Sequence, residues 1–317
     1  MTVEAAYMTE GESVDFTPTA AVSAGQVVQL PDGRAGFAPT AIAAGELGAV
    51  TVCGIVKVAK TTSMVVLNGS QLFWDASANK AHLLHRQDAD FPIGIAVEDE
   101  TSGATTVKVA LNRQQAFTAS LADGFVAVPI NTAGFPFVNG VGQGCNLGFS
   151  ATAEAQKVDA LSHRGFAPGT KAIVEALVCI NTNGDASAVD INVGIANATH
   201  ATDADSIAES LFVHIDGAST NINLESDDGT TEVASTDTTV DFTAGTPFLV
   251  QWDIRDNTDI QVYIDGVNVL PSSVFKLNAA TGPLKLLAHM EKTSDDSPGS
   301  VSVLKLGYRT FDASDNY

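Results

Sequence analysis

The chain has 317 residues, more than one domain usually holds, and 45% of them are hydrophobic against 17% charged, which excludes a generally disordered polymer. Its 37 acidic and 16 basic residues give a formal net charge of -21, and with no Lys/Arg cluster such a surface repels phosphate backbones and disfavours nucleic-acid binding. No apolar run approaches the roughly 18 residues of a membrane span, and the acidic start Met1-Thr-Val-Glu lacks the regions of a signal peptide, so synthesis in a cytoplasm is expected.

In chain order, Thr2 to Thr19 reads as a polar arm with four apolar residues, Val3, Tyr7, Val14 and Phe16. These are candidates to add a strand to the exposed edge of a neighbour, the alternative being a frayed terminus. Short β-branched runs follow at Val27–Leu30, Ala49–Cys53, Gly54–Val58 and Met64–Leu67. Further runs follow at Gln71–Asp75, Ile93–Val97 and Val107–Leu111, most of them bounded by Gly, Pro, Asp or Asn. Trp74 falls at an inward strand position, and Asp75 to Asn79 reads as a turn. The character changes near Arg113-Gln-Gln-Ala-Phe, so a domain boundary is placed near Gln115. The glycine-rich Gly140-Val-Gly-Gln-Gly144 has no following Lys and reads as a flexible or extended connection.

Longer strands with period-two alternation come next: Ala172–Ile180, Val189–Ile195, Leu211–Ile215, Asn221–Glu225, Phe248–Ile254, Ile260–Ile264, Leu284–Met290 and Val301–Leu306. One face of each packs on a core and the other meets water, and about eight such strands close most simply as a two-sheet sandwich. Asp265-Gly266 is the strongest hairpin signal, and Trp252, Ile254, Ile260, Val262 and Ile264 share the parity of a core face. The helical candidates Ala151–Lys157 and Ala201–Glu209 are short and weakly periodic, so the expected class is all-β. The expected organisation is an arm at 1–20, a small β-barrel or sandwich-like domain at 21–115, a connection with first strands at 116–165, and an antiparallel two-sheet jelly roll at 166–317.

Residue patterns that carry chemistry are sparse. His82-Leu-Leu-His85, near Asp88 and Asp90, has a spacing that does not converge two imidazoles on a strand or loop, so surface or turn histidines are expected there rather than metal ligands. Asp203, Asp205, Asp227, Asp228, Asp253, Asp256, Asp259, Asp295 and Asp296 lack the spacing of a calcium loop and read as turn formers, structural calcium held by jelly-roll loops being the alternative. Glycan hydrolysis on a jelly roll needs two flanking carboxylates, but Val189-Asp-Ile-Asn-Val places an Asn where the second would stand. Neither a Gly-x-Ser-x-Gly elbow nor a phosphate-binding loop occurs. The expectation is a non-enzyme with no catalytic residue, metal or cofactor. Cys53, Cys145 and Cys179 form no pairing pattern, and Cys53 and Cys179 read as small buried hydrophobes. Tyr263, of opposite parity to Trp252, is the candidate exposed platform for a glycan.

The order of segments in the first third carries a resemblance. Gly11-Glu-Ser-Val14, Gly25-Gln-Val-Val28, Ala43-Ala-Gly-Glu46, Gly54-Ile-Val-Lys-Val58, Phe73-Trp-Asp-Ala-Ser-Ala-Asn-Lys80, Ile93-Gly-Ile-Ala-Val97 and Val107-Lys-Val-Ala-Leu-Asn112 follow one another as in the small capsid-decoration (cement) proteins of tailed phages. Leu67-Asn-Gly-Ser70 departs from the usual Ala-x-Gly-Asp at one turn. From Phe166 to Phe311 the hairpin around Trp252 and Asp265-Gly266 resembles that of concanavalin-like, laminin-G-like jelly rolls. The first resemblance implies a homotrimer at threefold positions of an expanded capsid, bridging subunits of the major capsid protein on the outer surface of a virion assembled in a host cytoplasm. Val3, Tyr7, Val14 and Phe16 would then be capsid-contact residues. The second domain would project outward and offer a surface for a host glycan. A lectin-like adhesion protein is the alternative.

Overall fold

The computed structural model describes residues 12–130, 137–184 and 189–311; Val3 and Tyr7 lie outside them. The chain divides into two compact units, Met1–Ala116 and Phe117–Tyr317. Both are built of antiparallel sheets, which confirms the all-β class.

The first unit holds two open sheets, the sandwich-like form of the expected small domain rather than a closed barrel. Strands β1 (Ser13–Phe16), β2 (Val27–Gln29), β3 (Ala35–Phe37) and β4 (Gly48–Thr51) make a four-stranded sheet in the order β1-β4-β3-β2. Val22, Leu30, Ala38, Ile42, Val50 and Val52 form its core, with Val14, Phe16 and Val28 packed partly buried against it. Strands β5 (Ile55–Ala59), β6 (Gln71–Asp75), β7 (Lys80–His82), β8 (Phe91–Ala96) and β9 (Thr106–Leu111) make a five-stranded sheet in the order β5-β9-β8-β6-β7. Trp74 is buried on β6, and Asp75 Oδ1 accepts from the Ser77 and Ala78 amides to close the following turn. Met64–Leu67 is not a strand; Val66 only bridges Glu100 there.

The residue after β9 ties these two sheets together. Asn112 takes φ 57°, a left-handed value that Asn tolerates better than most residues. Its side chain accepts from the Ala35 amide at 2.8 Å and donates to the carbonyls of Ala35 at 2.9 Å and Val52 at 2.8 Å. One side chain thus satisfies three backbone groups that the four-stranded sheet leaves open.

The second unit begins with β10 (Ala119–Ser120) and β11 (Phe125–Ile130). The segment read as a connection is instead a hairpin of β12 (Phe137–Val141) and β13 (Gly144–Gly148), its turn helped by Gly142 at φ 52°. The chain continues through β14 (Gln156–Phe166), β15 (Ala172–Thr182), β16 (Val189–Ala196), β17 (Glu209–Asp216), β18 (Asn221–Asp228), β19 (Glu232–Asp241) and β20 (Phe248–Asp253). It closes with β21 (Gln261–Ile264), β22 (Val267–Asn268), β23 (Leu284–Lys292) and β24 (Ser300–Thr310). One sheet runs β12-β13-β24-β15-β20-β21-β22, with β10 also on β24, and the other runs β11-β14-β23-β16-β17-β18-β19. Of the two helical candidates, one enters β14 and the other holds a single 3-10 turn at Ala204–Ser206.

Alternation explains the sandwich. Val174, Ala176 and Val178 of β15 and Ile191, Val193 and Ile195 of β16 all enter one core, together with Trp252, Ile254, Ile260, Val262 and Ile264. Asp265 and Gly266 take φ 51° and 80°, the paired positive values of a type I′ turn, and they join Ile264 directly to Val267. Cys179 is buried as expected, but Cys53 is exposed because β4 ends at Thr51 and the chain has already turned out of the sheet.

Candidate functional site

The outward parity of the seven-stranded sheet carries an unusual set of side chains. Cross-strand register lines up Lys157, Glu291, Asp190 and Asp216 in one row across β14, β23, β16 and β17. The next row is Asp159, His289, Asn192, His214 and Asn223, reaching β18. A third row turns apolar at Leu161, Leu287 and Phe212, and these pack with Ala196, Ala204 and Ile207. The loop between β16 and β17 therefore lies over this face, held down by its own small apolar cluster, and it brings Asp203 and Asp205 to the polar rows.

His214 is the hub. It is 5% exposed at the side chain, with Nδ1 3.0 Å from Glu225 Oε2 and 3.3 Å from Asp205, and Nε2 3.1 Å from both Asp190 and Asp216. Burial opposes an imidazolium here, but hydrogen bonds to Asp205 and Glu225 and the Asp190 charge outweigh it and raise the pKa to about 12. Both ring nitrogens therefore carry protons and face carboxylates, which suits charge neutralisation and leaves no free nitrogen to act as a base. His289 is similar: fully buried, with Nδ1 2.7 Å from Asp159, and raised to about 9 by its acidic neighbours against burial. Lys157 adds a third cation, 2.8 Å from Asp159 and donating to the His200 carbonyl.

Three bases do not balance this face. Asp159, Asp190, Asp203, Asp205, Asp216, Glu225 and Glu291 stand against Lys157, His214 and His289. Asp190 bears the excess: desolvation, with Asp205 and Glu291 adding to it, pushes its carboxyl up to about 7 despite both histidines. An acid whose folded pKa is raised gives stability that is present below its unfolded value of 3.8 and is lost as pH rises through about 7. The melting temperature of the second unit should therefore fall more steeply between those pH values in the wild type than in Asp190→Asn. Calorimetry at a series of pH values measures this; parallel curves would mean that Asp190 ionises there without cost.

The residues singled out in the sequence lie elsewhere. Tyr263 is not an exposed platform: it is 9% exposed, paired with Gln251 of β20 and Asn268 of β22. Opposite parity put it on the outer face of the eight-stranded sheet, but that face is covered too, with Ile173, Glu175, Leu249 and Gln251 all buried beside it. His82 is likewise buried rather than on the surface, its Nε2 2.8 Å from Thr61 Oγ1, and desolvation lowers its pKa; His85 is exposed. Asp90 is buried and caps the amides of Arg86 and Gln87. Val14 and Phe16 sit on β1, an edge strand that pairs with β4 alone among the described residues. Phe16 also lines a shallow surface depression with Pro18, Val28, Trp74 and Phe91.

The outward polar rows were missed because each strand shows only one or two of them. The available signal was a polar residue interrupting buried-quality strands at one parity, as in Val158-Asp-Ala, Val189-Asp-Ile-Asn and Ala288-His-Met-Glu.

Fold and site together define an all-β protein with a small two-sheet unit followed by a two-sheet jelly roll. Residues 8–111 match the model of the phage cement protein family, which confirms the resemblance carried by the first third of the sequence. No curated protein matches the chain. Similar solved structures include the carbohydrate recognition domain of Emp47p, at 10% identity over 62% of this chain and 92% of that one, with TM-score 0.42. A prokaryotic β-1,3-1,4-glucanase (lichenase) derived from a mouse hindgut metagenome gives 9% identity over 58% and 93%, with TM-score 0.42. A carbohydrate binding module from Bacillus subtilis gives 6% over 58% and 94%, with TM-score 0.36.

Proposed function

We propose that this protein decorates and stabilises an expanded phage capsid as a homotrimer at threefold positions, contacting the major capsid protein through its first unit. The observation that carries this reading is the cement-family match over residues 8–111, which spans nearly all of that unit. β1 is the natural contact element. Its outer edge has no partner strand among the described residues, and Val14 and Phe16 lie on it beside the depression lined by Trp74 and Phe91. An open edge of this kind accepts a strand from a neighbour through main-chain hydrogen bonds. Three copies of a modest contact then give strong retention by multivalency. The jelly-roll unit projects outward on this reading, adds acidic bulk to the virion surface and offers a face for a host glycan.

The test is co-sedimentation of the full-length chain with expanded and unexpanded capsids, alongside light scattering of the free protein. Retention on expanded capsids only, and a mass three times the chain's 32.8 kDa, are expected. Because each unit has its own core, a fragment of residues 1–116 is a fair second probe. Phe16→Asp should weaken retention about tenfold or more, since the loss at each contact is multiplied across the trimer. A folded fragment that fails to bind while residues 117–317 bind would assign the capsid contact to the wrong unit.

A further inference from the structure

We propose that the strand edges of β12 and β11 form the contact between copies of this chain, with Phe137 and Val126 as its apolar anchors. The number of copies rests on the homotrimer reading above, whereas the place of the contact rests on charge, exposure and strand order.

Charge singles out this side of the molecule. From Gly124 to Ala153 the chain runs thirty residues without Asp, Glu, Lys, Arg or His, the longest such run in a sequence of net charge -21. That run supplies β11, β12 and β13. Copies so acidic repel one another, so a stable self-contact needs a surface free of the like charges. β12 is the outermost strand of one sheet and β11 of the other. Both lie on the same side of the sandwich: β13 packs on β23, and Val138 of β12 and Phe125 of β11 reach one shared core. The carboxylate paired across the register with Val128, that of Asp159, is already met by Lys157 and His289.

Free sheet edges are usually blunted by charge, proline or shortness. On the far side of the sandwich, β19 carries Glu232, Asp237 and Asp241, and β22 has only two residues. β11 contains Pro129, which withholds a main-chain donor. β12 has none of these devices: it runs Phe-Val-Asn-Gly-Val and pairs with β13 alone among the described residues. Phe137 stands on it 58% exposed, and Val126 stands on β11 48% exposed. Val126 pairs with Leu161, so it carries the outward apolar row of Leu161, Leu287 and Phe212 to the edge. A second copy presenting the same side can bury these side chains without bringing acid against acid.

Light scattering of the full-length chain over a range of concentrations, beside Phe137→Asp and Val126→Asp, tests this. Wild type should associate, and each variant should raise the dissociation constant about tenfold or more, because a carboxylate then meets the neighbouring copy in place of an apolar anchor. Both positions face solvent within one copy, so the dilute variants should melt as dilute wild type does. Val267→Asp, at the opposite edge of the eight-stranded sheet and 51% exposed, should associate as wild type does. Raising salt from about 50 mM to about 500 mM should tighten the contact, since screening relieves the acidic repulsion and no ion pair is lost. A dimer broken by Phe137→Asp would overturn the trimer reading and support this contact. A trimer indifferent to both variants would overturn the contact and leave the trimer reading standing. Wild type that stays monomeric at every concentration would sink both. Amides of β12 protected from hydrogen exchange only once capsids are added would give the edge to the capsid protein and overturn the proposal.

Discussion

Replacing Glu175 by Ala should cost the second unit about 3–5 kcal/mol, the usual penalty for removing one partner of a buried charge cluster. Glu175 lies on β15 at 1% exposure, on the covered outer face of the eight-stranded sheet. Its Oε1 pairs with Lys305 Nζ, its Oε2 meets Arg309 at 3.0 Å, and Oε2 also accepts from Gln251 at 2.9 Å. Burial works against the carboxylate, but the two cations prevail and hold its pKa at about 2 instead of 4.5. That drop corresponds to about 3 kcal/mol in favour of the charged form. The sign follows from linkage: a lowered folded pKa gives stability that is present above 4.5 and lost as pH falls through about 2. In Glu175→Ala, Lys305 and Arg309 keep their charge without the carboxylate between them. For a unit of this size the melting temperature should fall by roughly 6–20 °C. Glu175→Gln should cost less, because an amide oxygen still accepts where the carboxylate did. Calorimetry resolves the effect, and a drop under about 1 kcal/mol would mean that water reaches the cluster and screens it.

The second large effect lies in the first unit. Gly94 of β8 takes φ 140°, a value L-residues rarely adopt, and an added Cβ would sit 2.0 Å from the Ala110 carbonyl oxygen on β9. The obstacle is backbone, so it cannot swing aside as a flexible side chain would. Gly94→Ala should therefore separate β8 from β9, where Gly94 pairs with Leu111. Dihedral strain alone costs about 1–3 kcal/mol, and the displaced ladder adds to it. A total above about 3 kcal/mol is a large part of the 5–15 kcal/mol that holds a small domain folded. The expected result is an early-melting first unit, a second unit that melts as in wild type, and loss of retention on capsids. Unchanged melting of the first unit would show that β8 and β9 can move apart at little cost. This glycine stands in Ile93-Gly-Ile-Ala-Val97, one of the segments that carry the family resemblance, and the structure supplies a steric reason for it there.

Strand readings held where local chemistry was strong. Trp252 to Ile264 carried a strict apolar parity and ended in Asp265-Gly266, and both the core placement and the turn followed. They faltered where that chemistry was weak or two-faced. β19 was missed because Glu232–Asp241 is an exposed edge strand of Thr, Ser and Asp, with too few apolar residues to alternate. The β12–β13 hairpin was hidden by its glycines, which read as flexibility although Gly142 serves a turn. Tyr263 shows a different limit: parity tells which residues share a face, but not whether that face meets water.

The sequence by itself determined the all-β class, the apolar faces of the long strands, the hairpin at Asp265-Gly266 and the resemblance of the first third to cement proteins. These rest on short-range facts, namely the two-residue period of a strand, the φ preferences of Asn, Asp and Gly, and the order of segments along the chain. Tertiary structure alone decided that Asp159, Asp190, Asn192, His214, Glu225 and His289 share one patch. They come from five strands and span 131 residues, from 159 to 289. Their meeting depends on the register of strand pairs far apart in sequence. Alternation fixes which face a residue takes, but which partner stands beside it follows only when the whole sheet has closed on its core.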